Sequence, residues 1–385
     1  MSVDTFFDFD KAEAMRKKAK DILDIISSCG KDVYIFGAGI YADRLQKYLA
    51  SFGISVSGRV VDDDYAAKTQ GELLGVSNVL ERDNVCLLFG IGGGYSEWYY
   101  SKIAEIKTAV SKCKNSEFYV LSDYWMFDEG YISHDVIDEE FLTEHFEEFK
   151  QTYDMMADEV SKSVMKEFLY ASVGHDADKL AELGTDKKHD YDLELLFSRP
   201  GDGLVIDCGA YDGKTIVEMS EYSHNKYEMI ALECEEQNYI KCCETIKGHT
   251  NISACKLGVW DKKTKLAVVQ SKDASYLKEV DNDAVYDDVV EVVDIDSLVD
   301  EKKVAAIIMD IEGSELKALH GARKAILDGA TLAVRVYHKK EDLITIPQFI
   351  KSINSSYKFY MRFNIGANMC RMADETTLYA ICENI

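Results

Sequence analysis

The chain has 385 residues, 47% of them hydrophobic, and a formal net charge of −25 at pH 7. The length sets two domains as the expectation, and the apolar content supports ordinary cores and argues against disorder. An acidic surface repels phosphate backbones and anionic lipid, so nucleic acid and membrane surfaces are not expected partners. The first ten residues hold Asp4, Asp8 and Asp10 where a secretory leader would be basic. No run approaches the roughly 20 apolar residues of a spanning helix. A cytoplasmic protein with no membrane span is therefore expected, with its cysteines reduced. Cys234, Cys242 and Cys243 lack zinc-ribbon spacing, and Cys208, Cys255 and Cys382 read as small core residues.

In chain order, the pattern predicts a helix over 10–28 and a buried strand Val33–Phe36 running into Gly37-Ala38-Gly39. A helix from about Tyr41 to Ser51 follows, then a strand Ile54–Val61 ending at Asp62-Asp63-Asp64. Strand Val85–Phe89 leads into Gly90-Ile91-Gly92-Gly93-Gly94, and Phe118–Leu121 is a fourth strand. Strands alternating with helices imply a small parallel sheet, giving a first domain over 1–130. Residues 131–199 are acidic and mostly helical, and read as a linker with a lid role. Arg199-Pro200-Gly201-Asp202-Gly203 is the strongest turn cluster and opens a second domain over 200–385.

There the strand pattern restarts with Leu204–Asp207, Met229–Glu233, Ser253–Val259, Val304–Asp310 and Leu332–Tyr337, with helices between. Tyr357–Phe363 and Thr376–Cys382 close the chain without an intervening helix, which predicts an antiparallel hairpin at the sheet edge. The expected fold class is α/β with two Rossmann-like domains. The second is expected to be the methyltransferase variant of the doubly wound sheet, closed by that hairpin.

The segment richest in chemistry is Val205-Ile206-Asp207-Cys208-Gly209-Ala210-Tyr211-Asp212-Gly213-Lys214-Thr215. An apolar strand ends in a carboxylate, one glycine permits a sharp turn, and a second opens a helix against which a ligand can lie. Backbone N–H groups at that helix start can meet the polar end of a cofactor. Asp207 and Asp212 crowd the turn with negative charge, which repels a pyrophosphate but suits a ligand carrying an ammonium and a sulfonium, as S-adenosylmethionine does. Glu233 ends the next strand, near the roughly 20-residue offset at which an acid grips ribose hydroxyls. The expected cofactor residues are Asp207, Gly209, Tyr211, Asp212, Gly213, Thr215 and Glu233.

A second cluster, Met309-Asp310-Ile311-Glu312-Gly313-Ser314-Glu315, lies at the end of another buried strand, on the edge where open α/β sheets bind ligands. Its acids can orient a substrate hydroxyl, act as a base or hold a divalent metal, although no metal is predicted. Ser314 and Glu315 also read as a helix cap and first turn. His338 ends the next strand and reads as a general base or as a solvated strand-end histidine. Asp310, Glu312 and His338 are the expected catalytic residues.

These residues resemble the FkbM-type methyltransferases. The likeness rests on Asp207-Cys208-Gly209-Ala210-Tyr211-Asp212-Gly213, Ala231-Leu232-Glu233, Leu298 after Asp294-Ile295-Asp296, and Met309 to Glu315. It continues through Leu319-His320-Gly321-Ala322 and Glu375-Thr376-Thr377-Leu378-Tyr379-Ala380, covering the chain from about residue 200. Where many members carry proline after the ribose-binding acid, this chain has Cys234. The resemblance implies a class I methyltransferase fold, transfer from S-adenosylmethionine, and O-methylation of hydroxyls on polyketides or saccharides in a mostly bacterial family. A small-molecule or glycan acceptor is the expected partner, and a homodimer is compatible.

In the first domain, Tyr34-Ile35-Phe36-Gly37-Ala38-Gly39-Ile40-Tyr41-Ala42 is a shortened nucleotide fingerprint, with Ala42 where a third glycine often sits. Val60-Val61-Asp62-Asp63-Asp64 resembles the second strand of sugar-nucleotide-binding domains. This domain reads either as a site for a nucleotide-linked or lipid-linked sugar or as a docking and dimerisation module. Two other readings of the whole stay open: an NAD-dependent sugar oxidoreductase using the first domain, and a non-catalytic cofactor-binding scaffold.

Overall fold

The computed structural model describes residues 6–69, 71–91, 97–121, 137–176, 178–184, 189–199, 201–271, 274–279, 289–363 and 376–383. Gly92-Gly93-Gly94, Pro200 and Glu375, singled out above, lie outside these residues. The chain forms two compact units. The first takes the described residues up to 121 together with Glu167–Glu182, and the second takes 137–166 and the chain from Leu183 onward. The helices between 137 and 199 are thus divided between the units.

The first unit holds strands β1 (Asp32–Phe36), β2 (Val56–Val61), β3 (Leu74–Gly75), β4 (Val85–Phe89) and β5 (Glu117–Tyr119), all parallel, in the order β3-β2-β1-β4-β5. The interior strand β4 is buried along its whole length, as the unbroken apolar run Val85-Cys86-Leu87-Leu88-Phe89 requires of a strand covered on both faces. Winding reverses between β1 and β4. There Gly37, at φ 137°, lets the two strand-end loops touch, because a Cβ on it would lie 2.6 Å from the Gly90 carbonyl oxygen.

The second unit is built on a seven-stranded sheet. Its first three strands are β6 (Leu204–Cys208), β7 (Glu228–Leu232) and β8 (Ile252–Cys255). The chain then leaves this sheet for a smaller one made of β9 (Gly258–Val259), β10 (Thr264–Ser271), β11 (Ala274–Glu279) and β12 (Val289–Val293). It returns through β13 (Val304–Met309), β14 (Thr331–Arg335), β15 (Tyr357–Phe363) and β16 (Thr376–Cys382). The main sheet runs β15-β16-β14-β13-β6-β7-β8. Strand β16 is antiparallel to both β14 and β15, and the other pairings are parallel.

Three details depart from the sequence reading. The predicted strand Ser253–Val259 is two strands in different sheets, because Gly258 packs against β12 where a Cβ would come within 2.9 Å of Val292 Cγ1. Apart from Gly258–Val259, the strands of the smaller sheet are not expected from the sequence. Its core of Trp260, Leu266, Val290 and Val292 is drawn from three segments, each too short to show a sustained period. Glu233 and Asp310 lie one residue beyond their strands, and Tyr337 two beyond its own. Among the described residues no helix is long and apolar enough to cross a membrane. Among the described cysteines, Cys208 and Cys382 are buried and Cys255 is half-buried.

Candidate active site

Parallel register sets the site. Ile308 pairs with Asp207 and Met309 with Cys208, while Asp207 also pairs with Ala231 and Cys208 with Leu232. The carboxyl ends of β6, β7, β13 and β14 therefore finish together and project their loops to one edge, where open α/β sheets bind ligands.

The turn after β6 is held by backbone. The amides of Gly209 and Ala210 both donate to the Leu232 carbonyl, at 2.9 and 3.1 Å. Gly209 has φ 86°, and a Cβ there would lie 1.9 Å from the Asp310 carbonyl oxygen, so only glycine fits between the two strand ends. Gly213, at φ 78°, caps the helix Lys214–Tyr222, with Cys242 close behind it. Tyr211 exposes its ring, and its amide donates to Glu233 Oε2 at 3.0 Å. The amide of Glu235 donates to the other oxygen of Glu233 at 2.8 Å. Burial pushes the Glu233 carboxyl up, and these amides pull it only part of the way back. Asp212 faces its neighbour: Lys214 Nζ lies 2.5 Å from Oδ2, and the Lys214 amide donates to Oδ1. Thr215 is half-buried in the first turn of the helix.

Asp207 differs from these acids. It is 4% exposed, and its Oδ2 is buried with no hydrogen-bond partner among the described residues. Burial, with Asp310 and Glu233 adding negative potential, pushes its carboxyl up to about 7.

Across the cleft, His338 is buried and its Nδ1 lies 2.9 Å from Oε1 of the fully buried Glu315. Glu315 Oε1 also accepts from the Ile311 amide at 3.0 Å, which ties the acid to the loop after β13. His338 Nε2 stands 3.5 Å from Asp310 Oδ1 and 3.6 Å from Glu312 Oε2. Arg335 Nε is 3.5 Å from Asp310 Oδ2, and its guanidinium lies 4.4 Å from the centre of the Tyr191 ring. Burial alone would push the His338 imidazole down. Glu315, Asp310 and Glu312 outweigh it, and the group is raised to about 10. For Glu315 burial is outweighed by His338, which holds the carboxyl below its ordinary value. For Glu312 burial dominates, and the carboxyl is raised despite His338.

The fold brings together Asp310, Glu312 and His338, the three residues expected to be catalytic. With no other cation bound, Glu315, Asp310 and Glu312 all favour the charged imidazole, which counts against His338 as the general base. It is also buried, which excludes the solvated strand-end reading. Glu315, read as a first-turn residue, is the group that fixes His338. Ser314 does precede that helix but makes no side-chain cap. Arg335 and Tyr191 are additional residues of this edge, not expected from the sequence. The detectable signal was an arginine inside the apolar run Leu332-Ala333-Val334-Arg335-Val336. Where no metal was predicted, Asp310, Glu312 and His338 each offer a ligand atom within 4.8 Å of the others.

Asp207, Glu233, Asp310 and Glu315 are buried or half-buried carboxyl groups at this edge, beside the half-exposed Glu312, with Arg335 and His338 the cations that face Asp310. An edge rich in carboxyl groups favours cationic ligands over phosphates. Residues 207–356 match the family model described as the methyltransferase FkbM domain. This segment is similar to the FkbM methyltransferases. Among solved structures, the methyltransferase FkbM from Methylobacillus flagellatus KT is similar over 96% of this chain and 98% of its own, with a TM-score of 0.69 at 19% identity. That likeness shows the fold of the FkbM chain across both units. Fainter likenesses include an rRNA methylase from Streptococcus thermophilus, at 12% identity over 50% of this chain and 93% of its own, with a TM-score of 0.31. The N-methyltransferase NodS from Bradyrhizobium japonicum WM9, solved with S-adenosyl-L-homocysteine, gives 12% identity over 58% and 97%, with a TM-score of 0.25. No curated protein matches the chain.

Proposed function

We propose that this FkbM-type chain is an S-adenosylmethionine-dependent methyltransferase acting on a hydroxyl oxygen of a saccharide or similar polar metabolite. The observation that carries the cofactor reading is Asp207: a buried carboxyl with an unpartnered oxygen at a glycine turn is a ready acceptor for an ammonium group. Gly209 and Gly213 leave the turn free of side chains. Glu233 spends one lone pair of each oxygen on a backbone amide and keeps the others for ribose hydroxyls. Tyr211, Asp212 and Thr215 flank the same turn. When bound, the cofactor supplies a methyl group activated on a sulfonium.

The chain's own part is alignment and proton handling. Asp310, steadied by Arg335 and His338, orients the acceptor hydroxyl, and Asp310 or Glu312 takes its proton. His338, fixed by Glu315, keeps that pair of carboxylates together. The hydroxyl and saccharide assignments rest on the resemblance to FkbM-type enzymes and on the polar character of this edge.

We take 1–130 as the Rossmann-like domain, 131–199 as the helical linker and 200–385 as the methyltransferase domain, in a cytoplasmic enzyme. The first domain is assigned to a nucleotide-linked sugar or to docking. An NAD-dependent oxidoreductase fits less well, because Lys102 Nζ bonds Asp62 Oδ1 at 3.1 Å and already occupies the first acid after β2. The test is incubation with methyl-deuterated S-adenosylmethionine and a panel of nucleotide sugars, glycans and hydroxylated metabolites, read by mass spectrometry. Transfer of the labelled methyl to a hydroxyl oxygen supports the reading. NAD reduction with no methyl transfer on any sugar would overturn it.

A further inference from the structure

We infer that Asp310, Glu312 and His338 form a binding site for a divalent cation of the magnesium–manganese class, with Glu315 holding the histidine in its ligating orientation. The three residues come from two loops, after β13 and β14, and offer one atom each within 4.8 Å of one another. A six-coordinate ion with bonds of about 2.1 Å wants neighbouring ligands about 3 Å apart. The 3.5 and 3.6 Å separations from His338 Nε2 are close enough for small side-chain rotations to close them.

A second observation is independent of this spacing. His338 is 6% exposed, and Nε2 makes no hydrogen bond among the described residues, yet it points at both carboxylates. Its Nδ1 is engaged by the fully buried Glu315. This is the carboxylate–histidine–metal arrangement, in which an acid behind the ring fixes the tautomer and leaves the far nitrogen's lone pair for the ion. The excess of carboxylates over cations supplies the field.

Two carboxylates with one imidazole match a hard to borderline ion, and the imidazole favours manganese over magnesium. About three positions of a six-coordinate shell stay open. Two adjacent oxygens of an acceptor, such as the vicinal diol of a sugar, can fill two of them. A hydroxyl on the ion loses its proton more readily. This acceptor class rests on the methyltransferase reading; the ion site does not.

The test uses the full chain, stripped with a chelator and titrated with manganous chloride. The signal of free Mn²⁺ in electron paramagnetic resonance is followed with and without S-adenosylhomocysteine. The expected result is one bound Mn²⁺ per chain, with affinity reduced at least tenfold in Glu312→Gln and in Asp310→Asn. Glu312 is half-exposed, so its variant should keep its fold, which circular dichroism checks. In Glu315→Gln, if it folds, loss of the orienting acid should weaken binding about 10- to 100-fold. No Mn²⁺ binding in wild type, or binding unchanged in Glu312→Gln and Asp310→Asn, overturns the site. S-adenosylhomocysteine binding without Mn²⁺ overturns this inference alone. Mn²⁺ binding without S-adenosylhomocysteine supports the ion site and overturns the methyltransferase reading.

Discussion

Replacing Asp207 by asparagine should stabilise the metal-free, cofactor-free protein while damaging its binding. In the folded chain this carboxyl is raised from an ordinary 3.8 to about 7 by burial, Asp310 and Glu233. An acid raised on folding favours the unfolded state as soon as the unfolded chain can ionise. The penalty is absent below pH 3.8, grows as pH rises to about 7, and is constant above that. Each pH unit corresponds to about 1.4 kcal/mol, so the full penalty is about 4 kcal/mol. The new amide keeps the shape but has its own buried polar atoms, at a cost of about 1–3 kcal/mol. The net gain at pH 8 is therefore about 1–3 kcal/mol, or several degrees of melting temperature for a unit of this size, at about 2–4 °C per kcal/mol. Calorimetric melting of chelator-treated wild type and Asp207→Asn at pH 5, 6.5 and 8 measures it. The advantage of the variant should be largest at pH 8 and shrink toward pH 5. A variant that melts lower at pH 8, or a difference that ignores pH, would refute the claim that Asp207 is a buried acid awaiting a cation.

Related consequences follow from the same geometry. If the ammonium of S-adenosylhomocysteine meets ionised Asp207, its affinity should rise about tenfold from pH 6 to pH 8, and a flat calorimetric profile would detach the ligand from this residue. Gly209→Ala places a Cβ against the Asp310 carbonyl at positive φ and should cost about 3 kcal/mol or more; a melting curve like wild type would contradict the tight approach. His338 is raised on folding, so in the metal-free protein its contribution to stability is fully present below pH 6.5 and fades as pH climbs through about 10. Glu315→Gln should bring the His338 midpoint down by at least one unit in an NMR titration and flatten that fade. Equal midpoints in the two proteins would show that Glu315 does not govern the ring.

Much of the second unit was legible because its strands are buried, and β6, β7 and β13 run directly into a glycine or an acid. Leu204–Cys208, Val304–Met309 and the closing strands Tyr357–Phe363 and Thr376–Cys382 stand within a residue of where the apolar runs place them. The turn at Gly209 was legible for the same reason, since a glycine between a carboxylate and a helix start has few other uses. What could not be read was tertiary. The smaller sheet hides because no single strand supplies its core, and Ser253–Val259 looks continuous although Gly258 belongs to another sheet. At the site, the sequence gathers Asp310, Glu312 and His338 by position but does not reveal the protonation state of His338. That depends on Glu315, whose place at the start of a helix suggested nothing beyond local structure. Arg335 reaches Asp310 only because β14 lies beside β13, a pairing the sequence alone does not declare.

The most direct test of the central claim is calorimetric titration of the full chain with S-adenosylhomocysteine, run beside NAD and repeated on Asp207→Ala. One equivalent of S-adenosylhomocysteine should bind to wild type and at least tenfold more weakly to the variant, with no heat from NAD. Binding of NAD with no binding of S-adenosylhomocysteine would contradict the account and move the chemistry to the Gly37–Ala42 turn of the first unit.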